Sequence, residues 1–316
     1  MKSKKVGIIG VGNVGATVAY SLAMRGICHE IVLRDNKIER AKGMALDMSQ
    51  ASQAARVHTV ITVAEKASSL KDCDVIVITA GSPRLPGMSR DDLLIINAKI
   101  IKEVVGDIKK YAPDAIIIMI SNPLDAMVYV ALKESGFDQQ RVIGMAGILD
   151  SARMAHFIYD KIGYGAGQIR ASVIGGHGDS MVPLPKFSTV AGVPLTDILD
   201  EDEILDIVEK TKNGGVQIVN YLKTGSAYYA PAKAASLMVE AVIKDTKQIH
   251  PCAVCLNGEY GRYNIVTGVP IVLGASGAEK IFEMSLTLSQ KKKFNKSADS
   301  VQEMIDTLYK KKLLIK

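Results

Sequence analysis

The sequence predicts an α/β protein, with a doubly wound parallel sheet in its N-terminal half and a mixed α+β unit after it. Three observations predict this class. Short β-branched runs alternate with helical patterns up to about residue 146. The runs are apolar at nearly every position, which is the pattern of strands covered on both faces. After "RVIGMAG" the alternation stops, with no low-complexity linker and no internal repeat. Residues 1–146 and 147–316 are therefore expected to be two adjoining domains that pack tightly.

The elements follow in order. "KVGIIG" reads as a strand that turns through glycines into a helix containing "VAYSLAMRG". "EIVLRD" and "IERAKGMALDMSQA" form the next pair, then "DVIVITAG" with "RDDLLIINAKIIKEVVGDIKKY", then "AIIIMIS" with "PLDAMVYVALKESG". The second half opens with a helix at "LDSARMAHFIYDKIG", followed by a strand-like "IRASVIGGHG". A long amphipathic helix, "DEDEILDIVEKTKNGGVQIVNYLKTG", precedes a last mixture of helices and strands.

Composition narrows the functional classes. A hydrophobic share of 48% and a charged share of 23% are those of a folded globular chain, not of a disordered or fibrous one. The formal net charge of +6 is spread along the chain, with runs only at "QKKKF" and "YKKKLL", and no nucleic-acid motif accompanies it. An anionic small substrate accounts for the charge more simply. Four cysteines, unevenly spaced, make no disulfide framework and point to a reducing, cytoplasmic setting. The single CxxC, "PCAVC", has no second pair for a structural zinc site, so no metal is expected and the thiols read as buried and inert. The basic start and apolar run at the N-terminus carry three spaced glycines and no obvious cleavage site, unlike a signal peptide. No uncharged apolar segment reaches the length of a membrane span.

"IIGVGNVG" places Gly10, Val11, Gly12, Asn13, Val14 and Gly15 between a strand and a helix. The first glycine permits a tight turn, the second lets backbone approach a pyrophosphate, and the third lets helix and strand pack closely. The open N–H groups at the helix start suit phosphates. Asp35 ends the second strand, twenty residues after Gly15, where a carboxylate bonds adenosine ribose hydroxyls and repels a 2′-phosphate. NAD is the expected cofactor. Arg34, beside Asp35, could reach a 2′-phosphate and works against strict preference.

Five histidines are present, and four of them, His29, His58, His156 and His250, sit in ordinary helical or boundary contexts. His177 differs, because "VIGGHGDSM" puts it between glycines directly after an apolar strand. A catalytic imidazole needs a carboxylate to fix its tautomer, and Asp150 in "LDSAR" is a candidate, although a helix N-cap is its plainer reading. Arg153 lies one turn on, on the same face, and needs an anion. The loop "GSPRLPGMSRDDLL" carries two cations, Arg84 and Arg90, where one would keep it solvated.

With the glycine turn and Asp35, the stretches "PRLPGMSRDDLL", "ISNPLD", "LDSAR" and "IGGHGDSMVPL" occur in an order that resembles the lactate/malate dehydrogenase family. The resemblance runs from residue 5 nearly to the C-terminus and is nearest to the bacterial malate-type members that look like lactate dehydrogenases. It implies a Rossmann domain for residues 1–146, a catalytic domain for 147–316, and reversible hydride transfer between malate or oxaloacetate and NAD, as in the tricarboxylic acid cycle. It implies His177 as proton donor and acceptor, oriented by Asp150. Arg153 would grip the substrate C1 carboxylate, and Arg90, on a closing loop, would polarise the C2 carbonyl. Arg84 would hold the second carboxylate of a dicarboxylate, with the small Ala227 leaving room. Asn122 would touch substrate and cofactor beside a cis bond to Pro123, while Asn97, Ile120 and Ser121 would line the nicotinamide side. The family's habit implies a homodimer or homotetramer. Two departures stand out: Arg34 replaces a commoner aliphatic residue, and little chain precedes the first strand to serve as an assembly arm. A lactate or broader 2-hydroxy-acid dehydrogenase is the nearest alternative, and a non-catalytic dinucleotide sensor is the alternative of another class.

Overall fold

The computed structural model describes residues 4–83 and 87–315. Its first half holds β1 (Lys5–Ile9), α1 (Asn13–Met24), β2 (Glu30–Arg34), α2 (Ile38–Ala54), β3 (Val60–Val63), β4 (Val75–Ile78), α3 (Arg90–Tyr111), β5 (Ile116–Met119), α4 (Leu124–Ser135) and β6 (Val142–Gly144). The second half holds α5 (Ala146–Ile162), β7 (Ile169–Arg170), β8 (Val173–Ile174), β9 (Val182–Pro183), β10 (Thr189–Val190), β11 (Val193–Pro194), α6 (Glu201–Leu222), α7 (Tyr229–Ile243), β12 (Gln248–Asn257), β13 (Tyr263–Gly274), β14 (Gly277–Ile281) and α8 (Leu288–Lys310).

The parallel strands lie in the order β3-β2-β1-β4-β5-β6, so the chain reverses direction across the sheet between β1 and β4. In open α/β sheets that reversal leaves a crevice at the carboxyl ends of the strands, where ligands bind. All four residues of β4 and of β5 are buried. Packing explains it: α7 lies against both strands, and α4 against β5. The short run "VITV" becomes the edge strand β3 although its residues are exposed or half-buried. Its strand character comes from the ladder with β2, which a run so short and polar in its surroundings does not announce.

Two features of the second half were not resolved by the sequence reading. The strands β12, β13 and β14 extend the same sheet antiparallel beyond β6, joined at Ala253 and Gly144. The stretch "IRASVIGGHG" is two strands, β7 and β8, which belong to different small sheets. The hairpin β8–β9 carries the glycine-flanked His177 at its tip.

Local chemistry sets the helix starts. Ser89 with Asp92, Asp200 with Glu203, and Thr287 with Gln290 each close a reciprocal capping box at the start of α3, α6 and α8. The C-terminal helix is bound to the core through Phe294, which is fully buried with its ring centroid 4.7 Å from that of Tyr260. Phe294→Ala is expected to cost about 3 to 5 kcal/mol, from lost transfer energy and the cavity left behind. A urea melt followed by circular dichroism checks this, and an unmoved midpoint would show that α8 is dispensable to the fold.

Candidate active site

The glycine turn lies at the β1–α1 junction. Gly10 has φ +96°, and a Cβ there would lie 2.5 Å from the Ala80 nitrogen, so the turn requires glycine. A Cβ on Gly15 would lie 1.9 Å from the Gly10 carbonyl oxygen, which is the close helix–strand approach. Gly12 differs, since a Cβ there would meet nothing within 4 Å. The space above it is open, and no side chain caps the first turn of α1, which begins at Asn13. Open N–H groups at a helix start beside a vacant glycine fit a pyrophosphate. Val11 is buried, Asn13 is exposed and Val14 is half-buried along the same turn.

Asp35 is fixed beside this turn. Its Oδ2 accepts from the Val11 N–H at 2.6 Å and its Oδ1 from the Lys37 N–H at 2.9 Å. Arg34 turns away instead. Its Nη2 lies 2.6 Å from Asp107 Oδ2 on α3. Successive strand residues face opposite sides of a sheet, so the cation and the carboxylate diverge although they are neighbours.

Across the crevice, the carboxyl end of β5 runs into Ile120, Ser121 and Asn122, followed by a cis Asn122–Pro123 bond. Ile120 and Ser121 are buried, and Ser121 Oγ donates to the Ala80 carbonyl at 2.6 Å. Asn122 is exposed. Asn97, on α3, is buried and donates from Nδ2 to the carbonyls of Asn122 (2.6 Å) and Ser82 (3.2 Å), while its Oδ1 accepts from the Ser82 N–H at 2.7 Å. It ties together the loops that follow β4 and β5.

His177 and Asp150 meet. The His177 Nδ1 lies 2.8 Å from Asp150 Oδ2, and the two side chains are 11% and 2% exposed. A carboxylate only accepts, so Nδ1–H donates, and in the neutral ring Nε2 carries the lone pair. Asp150 is the fifth residue of α5, whose N-cap is Met145, so the N-cap reading of Asp150 does not hold. Its other oxygen lies 3.2 Å from Arg153 Nη1, one turn along. The small residues Gly214 and Gly215 of α6 pass over that arginine, leaving its guanidinium within 4 Å of where a Gly215 Cβ would be. Burial opposes a charge on His177, but the Asp150 carboxylate, its hydrogen bond and the charge of Asp125 outweigh that effect and raise the ring's proton affinity above its usual range.

Arg90 is the first residue of α3, exposed, and its Nη2 lies 2.9 Å from the equally exposed Asp179 Oδ2. Arg84 lies outside the described residues. Ala227 is half-buried between α6 and α7. Sequence reasoning passed over Asp125, Asp179 and Asp107. The first two lie inside quoted motifs, "ISNPLD" and "IGGHGDSMVPL", where a carboxylate in an apolar helix or beside the key histidine was the available signal.

The four cysteines are buried. Burial pushes the Cys28 and Cys73 thiols up to about 12 and Cys255 up to about 11, and Cys252 is pushed up by burial as well. Cys252 and Cys255 are three apart in β12, hence on opposite faces, which rules out a shared ion.

A dinucleotide crevice joined to a buried His–Asp pair with an arginine one turn away defines a class of NAD-dependent dehydrogenase. Residues 4–144 match the NAD binding domain and residues 148–312 the alpha/beta C-terminal domain of lactate/malate dehydrogenases, and the chain belongs to that family. The malate dehydrogenase of Sulfurimonas denitrificans is 70% identical over 315 residues, spanning 100% of this chain and 99% of that protein. The crystal structure of Cryptosporidium parvum malate dehydrogenase superposes with a TM-score of 0.94 at 38% identity, covering 98% of this chain and 99% of that one. The lactate dehydrogenase of the same organism, solved with lactic acid and nicotinamide adenine dinucleotide, gives a TM-score of 0.94 at 36% identity over 98% of both chains. Among the described residues no helix is long and apolar enough to cross a membrane.

Proposed function

We propose that this chain catalyses reversible hydride transfer between malate or oxaloacetate and NAD(H). One observation carries the reading: His177, held by Asp150, sits on a hairpin whose backbone bonds to Asp125, three residues after Asn122 at the carboxyl edge of the parallel sheet. The proton site thereby abuts the cofactor crevice. Residues 1–146 hold the cofactor and contribute Arg84 and Arg90, while 147–316 supply the proton and Arg153. The nicotinamide supplies or accepts the hydride.

The side chains do the rest. His177 Nε2 gives a proton to the developing C2 alkoxide and recovers it in the reverse direction, while Asp150 holds the ring and offsets its charge. Arg153 leaves Asp150 Oδ1 to grip the C1 carboxylate bidentately. Arg90 exchanges Asp179 for the carbonyl oxygen, and an exposed ion pair contributes only about 0 to 1 kcal/mol, so the exchange is easy. Arg84 takes the distal carboxylate, Ala227 leaves space for it, and Asn122 contacts substrate and cofactor. Spectrophotometry with NADH plus oxaloacetate, pyruvate or neither tests the reading. Turnover only with oxaloacetate supports it; turnover with neither acid would leave a dinucleotide sensor.

The raised proton affinity of His177 sets the pH dependence. The protonated ring reduces oxaloacetate, so reduction at limiting substrate is expected to be full below pH 6.5, the ordinary value, and to fall as pH rises through the higher value of the folded site. Malate oxidation, which needs the neutral ring, is expected to rise over the same range. A reduction profile that fell below pH 6.5 would contradict this.

NADH is expected to be preferred over NADPH on the order of 100-fold, because a 2′-phosphate would meet the Asp35 carboxylate, and like-charge contacts cost several kcal/mol. The Arg34–Asp107 pair supports the same preference by tying the Arg34 guanidinium to α3. Equal catalytic efficiency with the two cofactors would show that Arg34 leaves Asp107 for the phosphate. The reading also includes a cytoplasmic homodimer or homotetramer, supported by the exposed Val216, Val219 and Leu222 along α6 and measurable by light scattering.

A further inference from the structure

We propose that Asp125 is a positioning residue for His177, which fixes the place of the imidazole through its backbone and favours its protonated form through negative charge. The proposal rests on His177 being the proton carrier. Asp125 is the second residue of α4, in a turn whose neighbours Leu124, Ala126, Met127 and Val128 are all buried. Its Oδ2 accepts from the His177 N–H at 2.8 Å. Its Oδ1 is buried without a hydrogen-bond partner, and no cation is paired with it among the described ion pairs. A carboxyl group left so poorly compensated in an apolar setting is a net cost to the fold, and an apolar side chain of similar size would pack there more favourably. Its presence calls for a role at the site it touches.

The hairpin tip is held from two sides. The Gly176 N–H donates to Ser297 Oγ on α8 at 2.8 Å, and the next N–H, that of His177, donates to Asp125 on α4. Two successive N–H groups anchored by different helices fix the intervening peptide, and with it the direction in which the His177 side chain leaves the backbone. Ser297 could supply geometry alone. Asp125 adds charge.

Four charged groups share the pocket: Asp125 from α4, Asp150 and Arg153 from α5, and His177 from the hairpin. With His177 protonated and both carboxylates ionised the charges cancel, whereas loss of the ring proton leaves a buried excess of one negative charge. That excess opposes proton release and adds to the effect of Asp150. Burial first, then repulsion from Asp150, pushes the Asp125 carboxyl up to about 7, against the lowering effects of the His177 N–H, the His177 ring charge and its own backbone N–H. Asp125 therefore feels the same proton equilibrium as the ring.

Asp125→Asn keeps an oxygen for the His177 N–H and removes the charge. Its expected result is a shift of the pH midpoint for oxaloacetate reduction, read as kcat/KM, to lower pH by half a unit or more, with NADH affinity by fluorescence unchanged. Ser297→Ala removes the other anchor and keeps the charge, so kcat is expected to fall several-fold while the midpoint stays. A superimposable profile in Asp125→Asn, or a midpoint in Ser297→Ala that moves to lower pH, would overturn the proposal, and the second variant decides it even if the first does not fold. His177→Asn separates the two levels. Parent-level turnover in that variant overturns the proton-carrier reading and this inference together; its inactivity with an unmoved Asp125→Asn profile overturns this inference alone.

Discussion

His177→Ala is expected to lower turnover with oxaloacetate and with malate by about 10²- to 10⁴-fold, the range general acid–base catalysis typically supplies. NADH binding should persist, because Gly10, Gly12, Gly15 and Asp35 belong to the β1–α1 and β2 ends of the sheet, whereas His177 sits on the β8–β9 hairpin. The loss should appear mainly in kcat, since the variant keeps Arg153, the proposed grip on the C1 carboxylate. Removing the ring also leaves Asp150, 2% exposed, with Arg153 as its nearest partner, so the arginine is held more tightly and KM rises modestly. Stopped-flow turnover with NADH fluorescence titration measures both. Near-parent turnover in both directions would remove His177 from the chemistry.

Arg84→Gln is expected to lower catalytic efficiency with oxaloacetate by orders of magnitude and to raise it with pyruvate. The reasoning is charge balance. Oxaloacetate brings a second carboxylate that a guanidinium can meet with two parallel hydrogen bonds. Pyruvate brings a methyl group, and closing the site over it would enclose an unpaired cation at a cost of about 3 to 5 kcal/mol. At about 1.4 kcal/mol per tenfold, that is roughly two to four decades of preference. Glutamine abolishes the charge, so the penalty for pyruvate and the attraction for oxaloacetate disappear together. An unchanged ratio of the two efficiencies would return Arg84 to the role of a solvated loop cation and reopen the choice of substrate.

The cofactor end of the molecule was legible because its determinants are close in sequence. Gly15 is demanded by a contact with Gly10, five residues earlier, and the positive φ of Gly10 belongs to the same turn. The contact between His177 and Asp150 was foreseen for another reason. A histidine between glycines and an Asp one turn before an Arg are unusual enough to be noticed separately, although nothing local says that they touch across 27 residues.

By itself, then, the sequence determined the alternation that builds the parallel sheet, the glycine turn and the residue types able to carry hydride-coupled proton transfer. These depend on backbone hydrogen bonding and side-chain periodicity within a turn or a strand. The tertiary structure alone decided that β12 to β14 continue the sheet past β6, that Arg34 faces Asp107 across 73 residues and not the ribose corner, and that Asp125 and Ser297 grip the hairpin from 52 and 121 residues away. Such pairings exist only after the chain closes on itself. Once burial has removed water as a competing partner, a carboxylate, cation or hydroxyl bonds to whichever group the packing brings within 3 Å, and sequence distance no longer matters.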